Sequence, residues 1–401
     1  MMALREKTVY TTEIKTSFAI RPPRDDYHSP QYTCADWSAM RNIQMSDYTV
    51  GEDCFGAIPA ALASYRAKSV VLVGGKRALA AAAPMILKVL DGTDIEVLDT
   101  IIYGTDSTES TIAALEANPS FQQADVAFAI GGGKAIDTVK SAAIATKKTV
   151  FSVPTICSNC SSATAIAVVY HDDHSLKCYS YPDAPAHIFI NPAIIANAPQ
   201  EYFWAGIGDA LSKQPEVEYA TSAGNLTHTG ALGLALAHTC SEPLFTYGEQ
   251  GLADVRDNTA SEAVKQIALD IVVNTGYVSN LTNQPDFYYN SSLAHAFYNA
   301  TTGVPRAGKT HLHGEVVSFG VLVLLSYIGD QEGLDSYAEL NKKLGLPTTL
   351  AELDLTEEHL PHIVELAHNT NEWKQGNPQP FEDEKFMEAI KAADAYGRSL
   401  A

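Results

Sequence analysis

The chain has 401 residues, 46% of them hydrophobic, and 47 acidic against 27 basic side chains give a formal net charge of −20. An exterior of that sign repels phosphate backbones and anionic bilayers, so neither nucleic acid nor a membrane surface is an expected partner. The length predicts two domains. Six thinly spread cysteines fit a reducing cytoplasm better than a disulfide scaffold.

Residues 1–41 read as an N-terminal extension whose "RPPRDDYHSPQY" is loop-like, and no role is assigned to it. It contains neither an apolar h-region nor a span of roughly 20 apolar residues, so export and membrane insertion are not expected. From residue 42 to about 197, short β-branched runs alternate with alanine-rich helical stretches. "SVVLVGG" precedes "KRALAAAAPMILKVL", and "ADVAFAIGGG" precedes "KAIDTVKSAAIAT", with "TVFSVPT" following. Strands buried on both faces and separated by helices predict a doubly wound α/β domain with a parallel sheet. Past Pro192 and Pro199 the periodicity becomes helical, as in "EAVKQIALDIVVNTGYVSNL" and "GEVVSFGVLVLLSYIG", so residues 198–401 read as an all-α domain. A cleft between the two is a natural pocket.

Three glycines, Gly131, Gly132 and Gly133, stand between a buried strand and a helix. Glycine lets a ligand approach the backbone, and the free N–H groups of the helix start can hold a pyrophosphate. The spacing is not G-x-G-x-x-G, so a simple tight turn is an equal reading, with Asp137 and Lys140 as solvated helix residues. Farther on, "VPTICSNCSSAT" sets Cys157 and Cys160 in a C-x-x-C spacing. A thiol redox pair would want a small βαβ domain, and structural zinc would want a second pair that Cys178 and Cys240 do not supply. A cysteine lining a pocket is the preferred reading.

Taken in order, "GGGKAID", "VPTICSNCSSATAIAVVY", "AGIGDALSK", "LAHAFYNA" and "HLHGEVVSFG" resemble the glycerol dehydrogenase branch of the iron-containing alcohol dehydrogenase superfamily. The likeness runs from about residue 43 to the C-terminus and is greatest to the hydroxycarboxylate dehydrogenase A type. It implies a dehydroquinate synthase-like, glycerol dehydrogenase-like fold and hydride transfer between a nicotinamide cofactor and a small substrate. It also implies a divalent metal held by Asp209, His295 and His313 in the helical domain. Read singly, Asp209 could be a helix cap and His295 a core histidine. Together, one carboxylate and two imidazoles suit zinc better than iron and leave a position open. His311 reads as an outer residue, a proton relay or surface.

The resemblance places the cofactor along Gly131, Gly132, Gly133, Lys134, Asp137, Thr155, Ser158, Thr164, Ile166 and Tyr170. At the adenosine end the branch carries an Asp, where this chain has Gly75 followed by Lys76 and Arg77. Loss of a carboxylate beside two cations accommodates a 2′-phosphate, which favours NADP(H) over NAD(H). Two further departures bear on the substrate. Cys160 replaces the Asp of the branch's T-x-A-S-T-D loop, removing a partner for a polyol hydroxyl. Lys213 stands where the longer-chain alcohol dehydrogenases have another His; if the segment is helical it shares a face with Asp209 and can pair with a substrate carboxylate. A solvated lysine is the bland alternative, and Pro215 perturbs any helix there. The expected activity is reduction of a 2-oxo acid by a homo-oligomeric enzyme. The rivals are a polyol or diol dehydrogenase and an inactive nucleotide- or metal-binding homologue, for which the unusual "SKQPEVEYA" leaves room.

Overall fold

The computed structural model describes residues 43–400; the N-terminal extension lies outside the described residues. Six strands form one parallel sheet: β1 (Asp47–Val50), β2 (Ser69–Gly74), β3 (Glu96–Ile102), β4 (Val126–Gly131), β5 (Thr149–Pro154) and, after a hairpin, β8 (His187–Ile190). The hairpin is antiparallel and pairs β6 (Ala167–Tyr170) with β7 (Leu176–Ser180). The strand order in the sheet is β1-β8-β5-β4-β2-β3.

Crossovers are made by α1 (Ile58–Ser64), α2 (Lys76–Leu90), α3 (Glu109–Glu116), α4 (Pro119–Gln123) and α5 (Gly133–Thr146). Side chains alternate across each strand, so Val70 and Leu72 join one core with Leu79, Ile86 and Phe128. Val71 and Val73 join another with Ile112, Leu115, Ile136 and Val139. Helices α1 and α2 therefore cover one face and α3 to α5 the other, as the unbroken apolar runs predict.

After α6 (Pro192–Ala196) the chain is helical: α7 (Gln200–Ala210), α8 (Lys213–Thr221), α9 (His228–Ala237), α10 (Glu242–Arg256), α11 (Glu262–Leu269), a π-helical turn (Asp270–Asn274) and α12 (Thr275–Thr282). A short hairpin, Asn283–Gln284 with Phe287–Tyr288, interrupts before α13 (Leu293–Thr301), α14 (Ala307–Thr310), α15 (His313–Ile328) and α16 (Gln331–Leu344). Helices α17 (Leu360–Ala367), α18 (Asn371–Gln375) and α19 (Asp383–Ser399) complete the chain. Helix α15 is apolar on nearly every side and is enclosed by α7, α13, α16 and α19.

The interval between α7 and α8 differs from a continuous helix. Asp209 ends one helix and Lys213 begins the next, and Pro215 falls in the first turn of α8, where its missing N–H would have had no partner in the helix. No helix among the described residues is long and apolar enough to cross a membrane.

Candidate active site

The glycine-rich turn lies where strand β4 meets α5. Gly131 has φ +155°, and a β-carbon there would come 2.7 Å from that of Ala135, so only glycine fits. The carbonyl of Gly131 accepts from Thr155 N–H at 3.1 Å, which holds the loop after β5 beside the turn. Lys134 projects outward from the first turn of α5 and pairs with Asp106 at 2.9 Å; His174 Nδ1 contacts the same carboxylate oxygen at 2.9 Å. Neither Asp106 nor His174 was expected from the sequence, since each lies in a polar loop far along the chain. Gly75 precedes α2, and Lys76 and Arg77 open it in exposed positions.

Asp137 and Lys140 are not solvated. Both are buried, and their charges meet at 3.0 Å. The Lys140 ammonium also donates to the carbonyls of Ser161 (2.8 Å), Thr164 (3.2 Å) and Ile166 (2.6 Å), while Asp137 accepts from Val168 N–H at 3.1 Å. The reading as exposed helix residues fails because both side chains turn toward the loop and hairpin that cover α5. Burying an ion pair is costly unless its remaining donors and acceptors are met; here loop carbonyls take the Lys140 donors and the Val168 N–H serves one Asp137 oxygen. Asn280 on α12 pins the loop from the other side, accepting from Ala165 N–H and donating to the Ala163 carbonyl, both at 2.8 Å. Thr155 and Thr164 are buried in this loop, with Ser158, Ile166 and Tyr170 partly exposed around it.

The fixed loop carries the C-x-x-C pair. Cys157 points into the core formed with α7, α10 and α11. Cys160 lies among charges from Lys213, Asp209 and Lys140. Burial pushes both thiols above the ordinary range, and for Cys160 it outweighs the lowering by Lys213. Each is a neutral thiol near pH 7.

Asp209, His295 and His313 converge, with one ligand atom of each within 4.8 Å of the others. Asp209 Oδ1 lies 2.9 Å from His313 Nε2 and 3.5 Å from His295 Nε2. They come from the last turn of α7, from α13 and from the first residue of α15. The close crossing of α7 and α15 makes this possible. A β-carbon at Gly314 would lie 1.7 Å from the Ala205 carbonyl oxygen and 2.7 Å from Asp209 N. Burial favours a neutral Asp209, but His313 and His295 hold its carboxyl far below the usual range. Burial likewise disfavours a charged His295; Glu216 and Asp209 outweigh it and hold the imidazole's pKa up at about 10. Two imidazole nitrogens and a carboxylate facing one point are a donor set that fits a divalent first-row ion.

The surroundings hold residues that the sequence did not announce. Glu216, in the stretch that looked unusual, is fully buried and accepts from His295 Nδ1 at 2.6 Å. The ring of Tyr298 stands edge-on to His313 with centroids 4.2 Å apart. Lys213 is buried, not solvated: its ammonium donates to the carbonyl and the side-chain oxygen of Asn290, both at 2.8 Å. His311 is partly buried; its Nδ1 contacts Glu315 at 2.8 Å and its Nε2 lies 3.3 Å from Asp354. The helical spacing of 209, 213 and 216 was the one available signal for Glu216.

A parallel sheet with a glycine turn at a helix start, followed by helices that gather a carboxylate and two imidazoles, has the parts of a nicotinamide-linked, metal-dependent dehydrogenase. The sequence pattern of the iron-containing alcohol dehydrogenases matches residues 49–199. A glycerol dehydrogenase of Thermotoga maritima is 33% identical over 74% of this chain and 82% of its own length. The hydroxycarboxylate dehydrogenase A of Escherichia coli is 32% identical over 75% of this chain and 81% of its own. In fold, the crystal structure of glycerol dehydrogenase from Schizosaccharomyces pombe superposes with a TM-score of 0.79 at 24% identity, covering 90% of this chain and 92% of that one. The chain belongs to the iron-containing alcohol dehydrogenase family, in its glycerol dehydrogenase branch. It is an NAD(P)-dependent dehydrogenase acting on CH–OH donors.

Proposed function

We propose that the enzyme interconverts a small 2-hydroxy acid and its 2-oxo acid, with NADP(H) preferred over NAD(H). The observation that carries this reading is the pairing of a neutral thiol, Cys160, with a buried ammonium, Lys213, beside the Asp209 cluster. No carboxylate comes from the Cys160 loop to repel an anionic substrate. Two of the three Lys213 hydrogens are taken by Asn290, which fixes the ammonium and leaves one donor for the substrate carboxylate.

Asp209, His295 and His313 would hold the metal, zinc in preference to iron. When bound, a divalent ion supplies Lewis acidity toward the substrate carbonyl. The protein's own part is orientation. The glycine turn and the α5 N-terminus receive the pyrophosphate with Lys134 beside them, Thr155, Ser158, Thr164, Ile166 and Tyr170 bound the nicotinamide end, and Gly75, Lys76 and Arg77 receive the 2′-phosphate. Asp137 serves the cofactor indirectly, through Lys140 and the loop. The reading also takes residues 42–197 as the dinucleotide-binding domain, 198–401 as the metal- and substrate-binding domain, and the working form as a cytoplasmic homo-oligomer.

Lys213→Met tests the substrate assignment. KM for a 2-oxo acid is expected to rise at least about tenfold more than KM for a neutral ketone, the scale of one charge-assisted hydrogen bond. An equal change for both would overturn the ion pair. Wild-type turnover of glycerol exceeding that of every 2-oxo acid would establish the polyol reading, which the glycerol dehydrogenase relatives keep open. A higher kcat/KM for NADH than for NADPH would reject the cofactor preference.

A further inference from the structure

Glu216 sits on the first turn of α8, one helical turn after Lys213, and its carboxylate has no exposure to solvent. Its two oxygens have different tasks. Oε1 accepts from the backbone N–H of Ser292 (2.7 Å) and of His295 (3.0 Å), which satisfies free donors at the start of α13 and sets a negative charge against that helix terminus. Oε2 lies 2.6 Å from Nδ1 of the His295 imidazole. The opposite nitrogen, Nε2, faces Asp209. The same strip of chain is held again two residues earlier, where Lys213 grips Asn290.

A carboxylate is only an acceptor, so the hydrogen on this contact must belong to His295 Nδ1. With that proton held by Glu216, Nε2, the nitrogen that turns toward Asp209 and His313, is the one that gives up its proton to an arriving ion. We propose that Glu216 is the positioning residue of the metal centre: it fixes the ring plane of His295 and keeps the Nδ1 proton in place, so that Nε2 is the nitrogen turned to the ion. The inference rests on the metal reading of the Asp209, His295 and His313 cluster, and it assigns to "SKQPEVEYA" a function in place of the decay that its unusual sequence suggested. Second partners of this kind, holding a ligating histidine through its other nitrogen, tune metal affinity by about 10- to 100-fold.

Glutamine at position 216 has nearly the same shape and cannot do both tasks. With its oxygen kept on the two backbone N–H groups, its NH2 faces Nδ1, which must then accept; the ring proton moves to Nε2 and blocks the ligand position. With the amide reversed, NH2 meets two N–H donors. Either arrangement works against the ion.

The test is zinc affinity of the full-length, metal-stripped protein, measured by competition with a chromogenic chelator for wild type, Glu216→Gln and Glu216→Asp. Melting temperatures are read with and without zinc. Wild type is expected to bind zinc, E216Q to bind it about 10- to 100-fold more weakly, and E216D, which keeps the acceptor, to fall between them. The metal-free E216Q should melt close to the wild type while its zinc-induced rise shrinks. A wild-type zinc affinity in E216Q would overturn the inference and leave the metal centre standing. A lower melting point for metal-free E216Q with unchanged zinc affinity would reduce Glu216 to a cap of α13. Failure of the wild type to bind zinc or any other first-row divalent ion would overturn the metal reading itself. Should E216Q not fold by circular dichroism, the E216D affinity decides alone, and equality with wild type refutes the proposal.

Discussion

The glycine turn and the histidine cluster solve opposite problems. At the turn, the polar groups on offer are mainly backbone N–H groups of a few consecutive residues, and their placement follows from one strand-to-helix junction. At the cluster, three side chains come from three helices, and their placement depends on a glycine-permitted crossing and on a buried glutamate. Local geometry suffices for the first. The second exists only once the helical half has packed, so its sensitivity to remote packing should be much greater.

That contrast can be broken in three ways. The largest effect is expected from Asp209→Ala, which should lower turnover by about a thousandfold, several kcal/mol at about 1.4 kcal/mol per decade. Binding of NADPH, followed by its fluorescence, should be unchanged; a parallel loss of cofactor affinity would mean that the two regions are not separable. Next comes Lys140→Met. It strips a buried Asp137 of its cation and should cost about 3–5 kcal/mol in chemical denaturation, since breaking a buried pair leaves an uncompensated charge. A loss below about 1 kcal/mol, the scale of an exposed pair, would show that the pair is not buried in solution. The smallest effect should follow Gly131→Ala. Its strained φ costs about 1–3 kcal/mol and should weaken NADPH by about tenfold while leaving zinc affinity intact.

Much of the architecture was legible because it is periodic. The runs 69–74, 126–131 and 149–154 are apolar at nearly every step, and a sheet buried on both faces is the response of such runs to water. The cluster of Asp209, His295 and His313 was reached through resemblance, since nothing in the spacing of three distant residues shows that they meet. Charged residues inside helices were legible only in part: solvation was one reading of Asp137, Lys140 and Lys213, and Glu216 was not singled out. Lys140, Asp137, Lys213 and Glu216 all fall on segments where a charge is solvated by default. Only the tertiary packing shows that each is enclosed, and that each holds a piece of backbone: Lys140 the loop after β5, Asp137 the start of β6, Lys213 and Glu216 the approach to α13. The hairpin of β6 and β7 went unseen because its strands are only four and five residues long.

Lys140 on one side and Asn280 on the other clamp the stretch that bears Cys160. The clamp acts on main-chain atoms, so it is indifferent to which side chain the stretch displays. Swapping residue 160 therefore alters the chemical character of the chamber while its outline stays put. Under the proposed function, substrate preference becomes an interchangeable fitting on a fixed frame, open to redesign by a single codon.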